Sequence, residues 1–278
     1  MKVAVIGSQG FVGGATVELF KRAKGVIVAE YDIKPPKKKN APYSREAVNQ
    51  ADIAFVCVPT PTVKKKCDIS TVEEVVSWLD TKIIVINSTV PVGTTEMLAA
   101  KYDKRIVHSP EFLREKTNVD DVLNANRVVL GGAQEDVEIV EKAYRAAYAD
   151  ASVQYVKTDS KTAELCKYIT NCYLAAKVTF FNEMKAISNS YGVDWDGVRQ
   201  AVLLDPRIGE SHTEVTSEGG FGGSCLPKDI MAIISSTEEK GYSPNFMHSV
   251  WENNRKFRAE FDSDDYRLLG EENYAENT

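Results

Sequence analysis

The sequence predicts an α/β protein: a doubly wound parallel sheet followed by an all-helical domain built on one long central helix. Three observations predict it. Short apolar, β-branched runs alternate with amphipathic stretches through the first 157 residues. After residue 157 that alternation gives way to helical spacing alone. A glycine-rich turn joins the first apolar run to the first amphipathic one, as a strand–turn–helix unit requires.

The strands come first. "KVAVIG" (2–7), "VIVAEYD" (26–32), "ADIAFVCVP" (51–59) and "KIIVIN" (82–87) are nearly continuous apolar runs, as expected of parallel strands covered on both faces. "RIVHSP" (105–110), "NRVVLGG" (126–132) and "SVQYV" (152–156) continue the series. Helical stretches at 13–23 and 135–149 supply crossovers, and a ligand crevice is expected at the carboxyl ends of the strands. The run 161–192 then reads as one long helix with Gly192 as its C-cap. Further helices are expected over 194–205, 227–241 and 245–261. The domains are therefore 1–157, 158–261 and an acidic, loosely ordered tail at 262–278. Within the long helix, "CYLAAKVTFF" is apolar on more than one face, which calls for burial in its own domain or against a second subunit.

Composition bounds the function. Of 278 residues, 43% are hydrophobic and 27% charged, ordinary for a globular protein. A net charge of −6 argues against a nucleic-acid surface. No run of 18 uncharged apolar residues offers a membrane span. The opening strand leaves no room for a signal peptide, and the expected location is cytoplasmic. The five cysteines form no CxxC pair, so a reducing compartment is expected, and with three scattered histidines no metal site is.

"GSQGFVGG" (7–14) lies where a dinucleotide-binding, Rossmann-type turn belongs. Gly7, Gly10 and Gly13 let the turn tighten and a pyrophosphate approach the backbone, while Phe11 and Val12 open a helix whose N–H groups face the anion. The spacing is GxxGxxG, so the motif alone is weakly specific. Asp32 ends the second strand, where a carboxylate accepts from an adenosine ribose and repels a 2′-phosphate; NAD is expected over NADP. A glycine turn beside an ordinary surface aspartate is the alternative. "KPPKKKN" (34–40) reads as a charged surface loop, and its Lys37 is assigned to the cofactor.

"GGFGGSCLPKD" (219–229) sets four glycines beside one thiol. Each glycine costs roughly 0.5–1 kcal/mol relative to alanine in ordered structure, so the loop needs them for positive φ or for close backbone approach. Cys225 precedes the helix of 227–241, and a helix N-terminus and Lys228 both favour a thiolate. Two readings fit: a nucleophile, or a small buried residue in a tight turn. Cys57, Cys166, Cys172 and Cys67 read as inert.

The cysteine motif resembles that of the UDP-glucose/GDP-mannose dehydrogenase family. "GFVG" (10–13), "VPTPT" (58–62), "NSTVPVGTTE" (87–96), "SPEFLRE" (109–115), "AELCKYITNCYLAAKVTFFNE" (163–183) and "DPRIG" (205–209) match in the family's order. The resemblance implies NAD-dependent oxidation of a sugar C6 alcohol to a carboxylate in two hydride transfers. Cys225 would be the nucleophile, passing through a thiohemiacetal and a thioester. Asp229 would act in proton transfer, and Lys167 and Asn171 would steady an oxyanion. By local pattern alone, Lys167 is a solvated helix face and Asn171 a cap. Thr89 and Glu115 would lie near the nicotinamide and the catalytic water; Thr62, Val12 and Lys228 would touch the cofactor. Glu111, Phe112, Leu113 and Gly222 would face the sugar, with Arg207 reaching across a homodimer interface formed by the helical domain.

The chain departs from the family pattern in three places. Members continue into a third, nucleotide-clasping domain, which is expected to be missing here. The phosphate loop has an extra residue. "ESHTEVTSE" (210–218) carries acids where a uridine or phosphate contact is expected. Two alternatives follow: an NAD-binding regulatory or assembly subunit without turnover, or a two-domain dehydrogenase of a smaller alcohol, which needs no thiol.

Overall fold

A computed structural model of the protein describes residues 1–34, 43–148 and 152–258. The chain divides into two compact units, residues 1–60 with 68–167, and residues 61–67 with those from 168 onward.

In the first unit, β1 (Lys2–Ile6), α1 (Phe11–Lys21), β2 (Ile27–Tyr31), α2 (Arg45–Asn49) and β3 (Ile53–Val56) form the opening half. The chain then makes the hairpin strands β4 (Thr62–Val63) and β5 (Lys66–Cys67), which belong to the second unit. It returns as α3 (Ser70–Trp78), β6 (Ile83–Ile86), α4 (Thr94–Tyr102) and β7 (Ile106–His108). A single 3-10 turn (Glu115–Thr117), α5 (Asn118–Leu123), β8 (Arg127–Gly131), α6 (Gln134–Ala147), β9 (Gln154–Thr158) and the first turns of α7 (Ser160–Ser190) complete it.

Successive side chains of a strand point to opposite faces, and the core follows that alternation. Val3, Val5, Phe55 and Val85 pack with Phe20, Val140 and Tyr144 of α1 and α6 on one face. Ala4, Ile6, Ala54, Ile84 and Ile86 pack with Val48, Val76 and Leu98 of α2, α3 and α4 on the other. Every residue of β3 and β6 is buried, which is why these strands read as unbroken apolar runs.

The sheet order is β2-β1-β3-β6-β7-β8-β9. Strand order reverses direction at β1, so the glycine turn after Ile6 opens at a topological switch point. All pairings are parallel but one: β7 meets β8 antiparallel through His108 and Gly131. The doubly wound sheet is parallel, as expected, at each of the remaining pairs. The six residues of α5 span only about 9 Å, too short to carry the chain back along a strand, so β8 starts from the end where β7 finished.

In the second unit, β4 and β5 pair through a two-residue turn in which Lys64 and Lys65 take φ of 50° and 67°. Positive φ at both central positions matches the twist of a tight hairpin. The rest of α7, with α8 (Trp195–Leu203), α9 (Leu226–Glu238) and α10 (Asn245–Phe257), makes the helical part. Asp194 caps α8, accepting from the N–H groups of Asp196 and Gly197. Cys172, Ala175 and Val178 of α7 pack with Phe221, Ile230, Ile234, Val250 and Trp251 to form the core. Among the described residues no helix is long and apolar enough to cross a membrane.

Candidate active site

The phosphate turn is built for a ligand rather than for itself. Gly7 has φ of 82°, and a Cβ on Gly13 would collide with the Gly7 carbonyl. Gly10 occupies the N-cap of α1 with no side-chain cap, and no acid sits in the first turn. Phe11 and Val12 therefore begin a helix whose leading N–H groups have no anionic side chain of their own. Asp32 accepts the Gln9 N–H at 2.8 Å and the Lys34 N–H at 3.1 Å, tying the turn to the end of β2. The uncapped helix start and the glycine cradle fit a dinucleotide pyrophosphate, and Asp32 stands at the end of β2 beside that turn. Lys37 lies outside the described residues.

Thr89 follows β6 at its carboxyl end, is half-buried, and its carbonyl accepts from the Thr60 hydroxyl at 2.7 Å. Glu115 lies in the 3-10 turn. Glu111 and Lys167 form a buried ion pair: the Lys167 ammonium donates to the Glu111 carboxylate and to its carbonyl, each at 2.8 Å. Glu111 also accepts the Leu113 N–H at 2.7 Å, closing the 111–113 loop on itself. The Phe112 ring carries Arg127 over its face at 4.1 Å and Lys167 at 5.9 Å. Lys167 is thus no solvated helix position; its side chain is 4% exposed. His108 is buried too, and burial, with the Lys167 charge, pushes its pKa down to about 3. Its Nδ1 has no hydrogen-bond partner among the described residues.

In the second unit, Cys225 stands half-buried at the N-cap of α9, which has no side-chain cap and carries Pro227 in its first turn. One turn on, the fully buried Asp229 accepts from Asn171 at 2.5 Å and from Lys228 at 2.5 Å. Burial works against the charge of Lys228, and Asp229, with the sulfurs of Cys67 and Cys225 nearby, outweighs it and holds the Lys228 pKa above its ordinary value. Cys172 is pushed up to about 12 by burial and by Asp229, and in the first unit Cys57 is pushed up to about 12 chiefly by burial. Neither is a thiolate near neutrality. Thr62 sits in β4 with a buried hydroxyl that lacks a partner among the described residues. Arg207 is exposed and forks onto Asp205 at 2.9 and 3.0 Å.

Asn171 therefore serves as a donor to Asp229, not as a helix cap. It lies four residues after Lys167 on α7. In the glycine loop, Gly220 takes φ of 53°, and a Cβ there would meet the side-chain oxygen of Asn254. A Cβ on Gly222 would strike the guanidinium of Arg258. Gly220 and Gly222 thus admit the side chains of Asn254 and Arg258 close to the backbone.

Three residues escaped the reading of the sequence. Glu164, buried in α7, accepts from Thr95 at 2.8 and 2.6 Å and from the Gly93 N–H, capping α4. Cys67 reads as inert in a basic loop, yet its sulfur adds to the field on Lys228. Asn254, fully buried, holds the glycine loop. One signal pointed to it: an asparagine three and four residues after Trp251 and Val250, on the apolar face of a helix.

Two family models match successive parts of the chain. Residues 39–150 match the NAD binding domain of the UDP-glucose/GDP-mannose dehydrogenase family, and residues 161–256 match its central domain. The chain is 33% identical to the UDP-glucose 6-dehydrogenase TuaD of Bacillus subtilis over 228 residues, covering 77% of this chain and 48% of that protein. It is 36% identical over 206 residues to the uncharacterized protein MJ1054 of Methanocaldococcus jannaschii, covering 69% of this chain and 23% of that one. A UDP-glucose dehydrogenase from Pyrobaculum islandicum superposes with a TM-score of 0.81 at 27% identity, covering 92% of this chain and 68% of that structure. The chain spans about half the length of the Bacillus relative.

Proposed function

The chain belongs to the UDP-glucose/GDP-mannose dehydrogenase family, and from that membership we propose that it oxidises the C6 primary alcohol of a nucleotide sugar to a carboxylate with NAD as acceptor. The observation that carries this reading is the buried Asn171–Asp229 pair, joined by Lys228, one helical turn from Cys225. A charged cluster beside a thiol supports chemistry over binding alone. A dehydrogenase that stops at one hydride needs no thiol at all.

NAD, when bound, accepts the hydride of each oxidation. Gly7, Gly10, Phe11, Val12 and Gly13 hold its pyrophosphate, Asp32 its ribose, and Thr62 and Lys228 make further contacts. Glu111, Phe112, Leu113 and Gly222 face the sugar. Lys167, fixed in place by Glu111, and Asn171 offer hydrogen bonds to the substrate oxygen as it gains negative charge. Cys225 adds to the aldehyde carbon, forming a C–S bond at the uncapped positive end of α9. Loss of the second hydride leaves a thioester. Water then displaces the sulfur, with Asp229, Thr89 and Glu115 handling that water and its protons. Cysteine suits both covalent steps because it is a good nucleophile and a fair leaving group.

The working form is a homodimer. On α7, Ile169 is 60% exposed, Tyr173 61% and Phe180 53%, a row of large apolar side chains at helical spacing that a second copy would cover. Arg207, exposed on one protomer, reaches the substrate of its partner. Cysteines in no disulfide accord with a cytoplasmic location.

The test is NADH absorbance with a panel of UDP- and GDP-sugars, on wild type and Cys225→Ser. Wild type is expected to form about two NADH per sugar, since each C–S-linked turnover carries two oxidations. Binding of NAD with no reduction by any sugar turns the assignment to a regulatory subunit. One NADH per substrate, unaffected by the serine variant, turns it to a smaller-alcohol dehydrogenase.

A further inference from the structure

We propose that Asn254 is a positioning residue for the thiol of Cys225, acting through the glycine loop. The inference deepens the dehydrogenase reading of the same site, but its first two measurements need no substrate.

Asn254 lies on α10, twenty-nine residues from Cys225, and is fully buried. Its Oδ1 accepts the Phe221 N–H at 2.6 Å and its Nδ2 donates to the Phe221 carbonyl at 3.0 Å. One amide side chain thus satisfies both backbone groups of one residue, as a neighbouring β-strand would. Beside it, Asn182 of α7 accepts the Gly220 N–H at 3.0 Å. Its own Nδ2 donates to the Val178 carbonyl at 2.8 Å, which fixes which end of that amide faces the loop. Arg258 donates to the Gly219 carbonyl at 3.4 Å and pairs with Glu218 at 2.9 Å.

The loop is therefore bound from two helices at Gly219, Gly220 and Phe221. Phe221 itself is buried against Trp251, ring centroids 6.2 Å apart, so side chain and backbone are held together. Along the chain, Gly222, Gly223 and Ser224 join that fixed point to the N-cap cysteine. Glycine offers the most backbone freedom of any residue, and a glycine-rich tether presents a thiol reproducibly only if one end is anchored. The other anchor, α9, is pinned at Asp229. Asn254 supplies the second one. Its neighbour Asn253 faces the other way, donating to the Ser249 carbonyl, and has no part in the loop.

The experiment uses the full chain. Hydrogen exchange in wild type is followed on peptides covering 218–224: the Phe221 amide should be protected, and exchange at the rate of an unstructured amide would overturn the clamp. Alkylation of Cys225 by iodoacetamide is then read by peptide mass spectrometry in wild type, Asn254→Ala, Asn254→Asp and Asn253→Ala. Loosening the loop should change the rate at Cys225 several-fold in Asn254→Ala and less in Asn254→Asp, which keeps the acceptor for the Phe221 N–H. Asn253→Ala should match wild type. Where Asn254→Ala fails to fold, the exchange result and Asn254→Asp decide. With UDP-glucose and NAD, Asn254→Ala should lose roughly 10–100-fold in kcat with KM for NAD little changed, the effect of a misplaced reacting group. Alkylation and kcat both within twofold of wild type in a folded Asn254→Ala would overturn the proposal. Should no sugar reduce NAD even in wild type, the dehydrogenase reading fails while exchange and alkylation still judge Asn254.

Discussion

The side-chain amide of Asn171 donates to the carboxylate of Asp229 at 2.5 Å, and both residues are buried. Fifty-eight positions separate them in sequence. The bond pins the first turn of α9, and hence its N-cap cysteine, to the long helix α7. Lys228 takes the other carboxylate oxygen.

Asp229→Asn preserves the shape of that cluster and removes its charge. Lys228 then loses its counter-ion in a site where burial opposes an ammonium. Breaking a buried pair from one side costs about 3–5 kcal/mol, so urea unfolding should show a loss of that order. Turnover should fall roughly 10²–10⁴-fold, the usual worth of general acid–base help. A variant as stable and as fast as wild type would remove Asp229 from the account.

The thiols should separate by environment. With pKa values pushed up to about 12, Cys57 and Cys172 carry almost no thiolate at neutral pH. Brief iodoacetamide treatment of folded protein, mapped by peptide mass spectrometry, should label Cys225 and spare both. Equal labelling of Cys57 or Cys172 would contradict the burial described here.

His108 gives a pH signature. Its folded-state pKa lies near 3, below the unfolded value near 6.5, so only the unfolded chain binds a proton between the two. The stability this group contributes is present above pH 6.5 and is lost as pH falls toward 3, by up to about 5 kcal/mol. His108→Gln should flatten the acid limb of a stability–pH curve measured by denaturant unfolding. An unchanged limb would place the acid sensitivity elsewhere.

Gly13→Ala puts a methyl group against the carbonyl of Gly7. The turn must open, at roughly 1–3 kcal/mol, the usual cost of overpacking. Calorimetric titration should show NAD binding weakened at least tenfold, since about 1.4 kcal/mol corresponds to that factor. Unchanged affinity would mean that the pyrophosphate is held elsewhere.

Much of the fold was legible because burial leaves a local trace. β3 and β6 are buried at every position, and α7 keeps helical spacing for 31 residues. Pairing leaves no such trace. The antiparallel contact of His108 with Gly131 depends on how α5 returns the chain, not on the composition of either strand. The hairpin of β4 and β5 was invisible because its turn is made by Lys64 and Lys65 at positive φ, without a glycine to announce it. Compact motifs, Gly7 to Gly13 and Cys225 to Asp229, stand out in the sequence because each lies within a few consecutive positions. The Lys167–Glu111 pair joins positions 56 apart, so a solvated helix face was the natural reading of Lys167 until its partner was known.

The central claim, that Cys225 captures the aldehyde between two oxidations, is tested most directly by stopping the enzyme in mid-turnover with UDP-glucose and NAD and weighing its peptides. The account predicts a sugar-nucleotide adduct on the peptide bearing Cys225, absent in Cys225→Ser. Accumulation of the sugar acid with Cys225 never modified would contradict it.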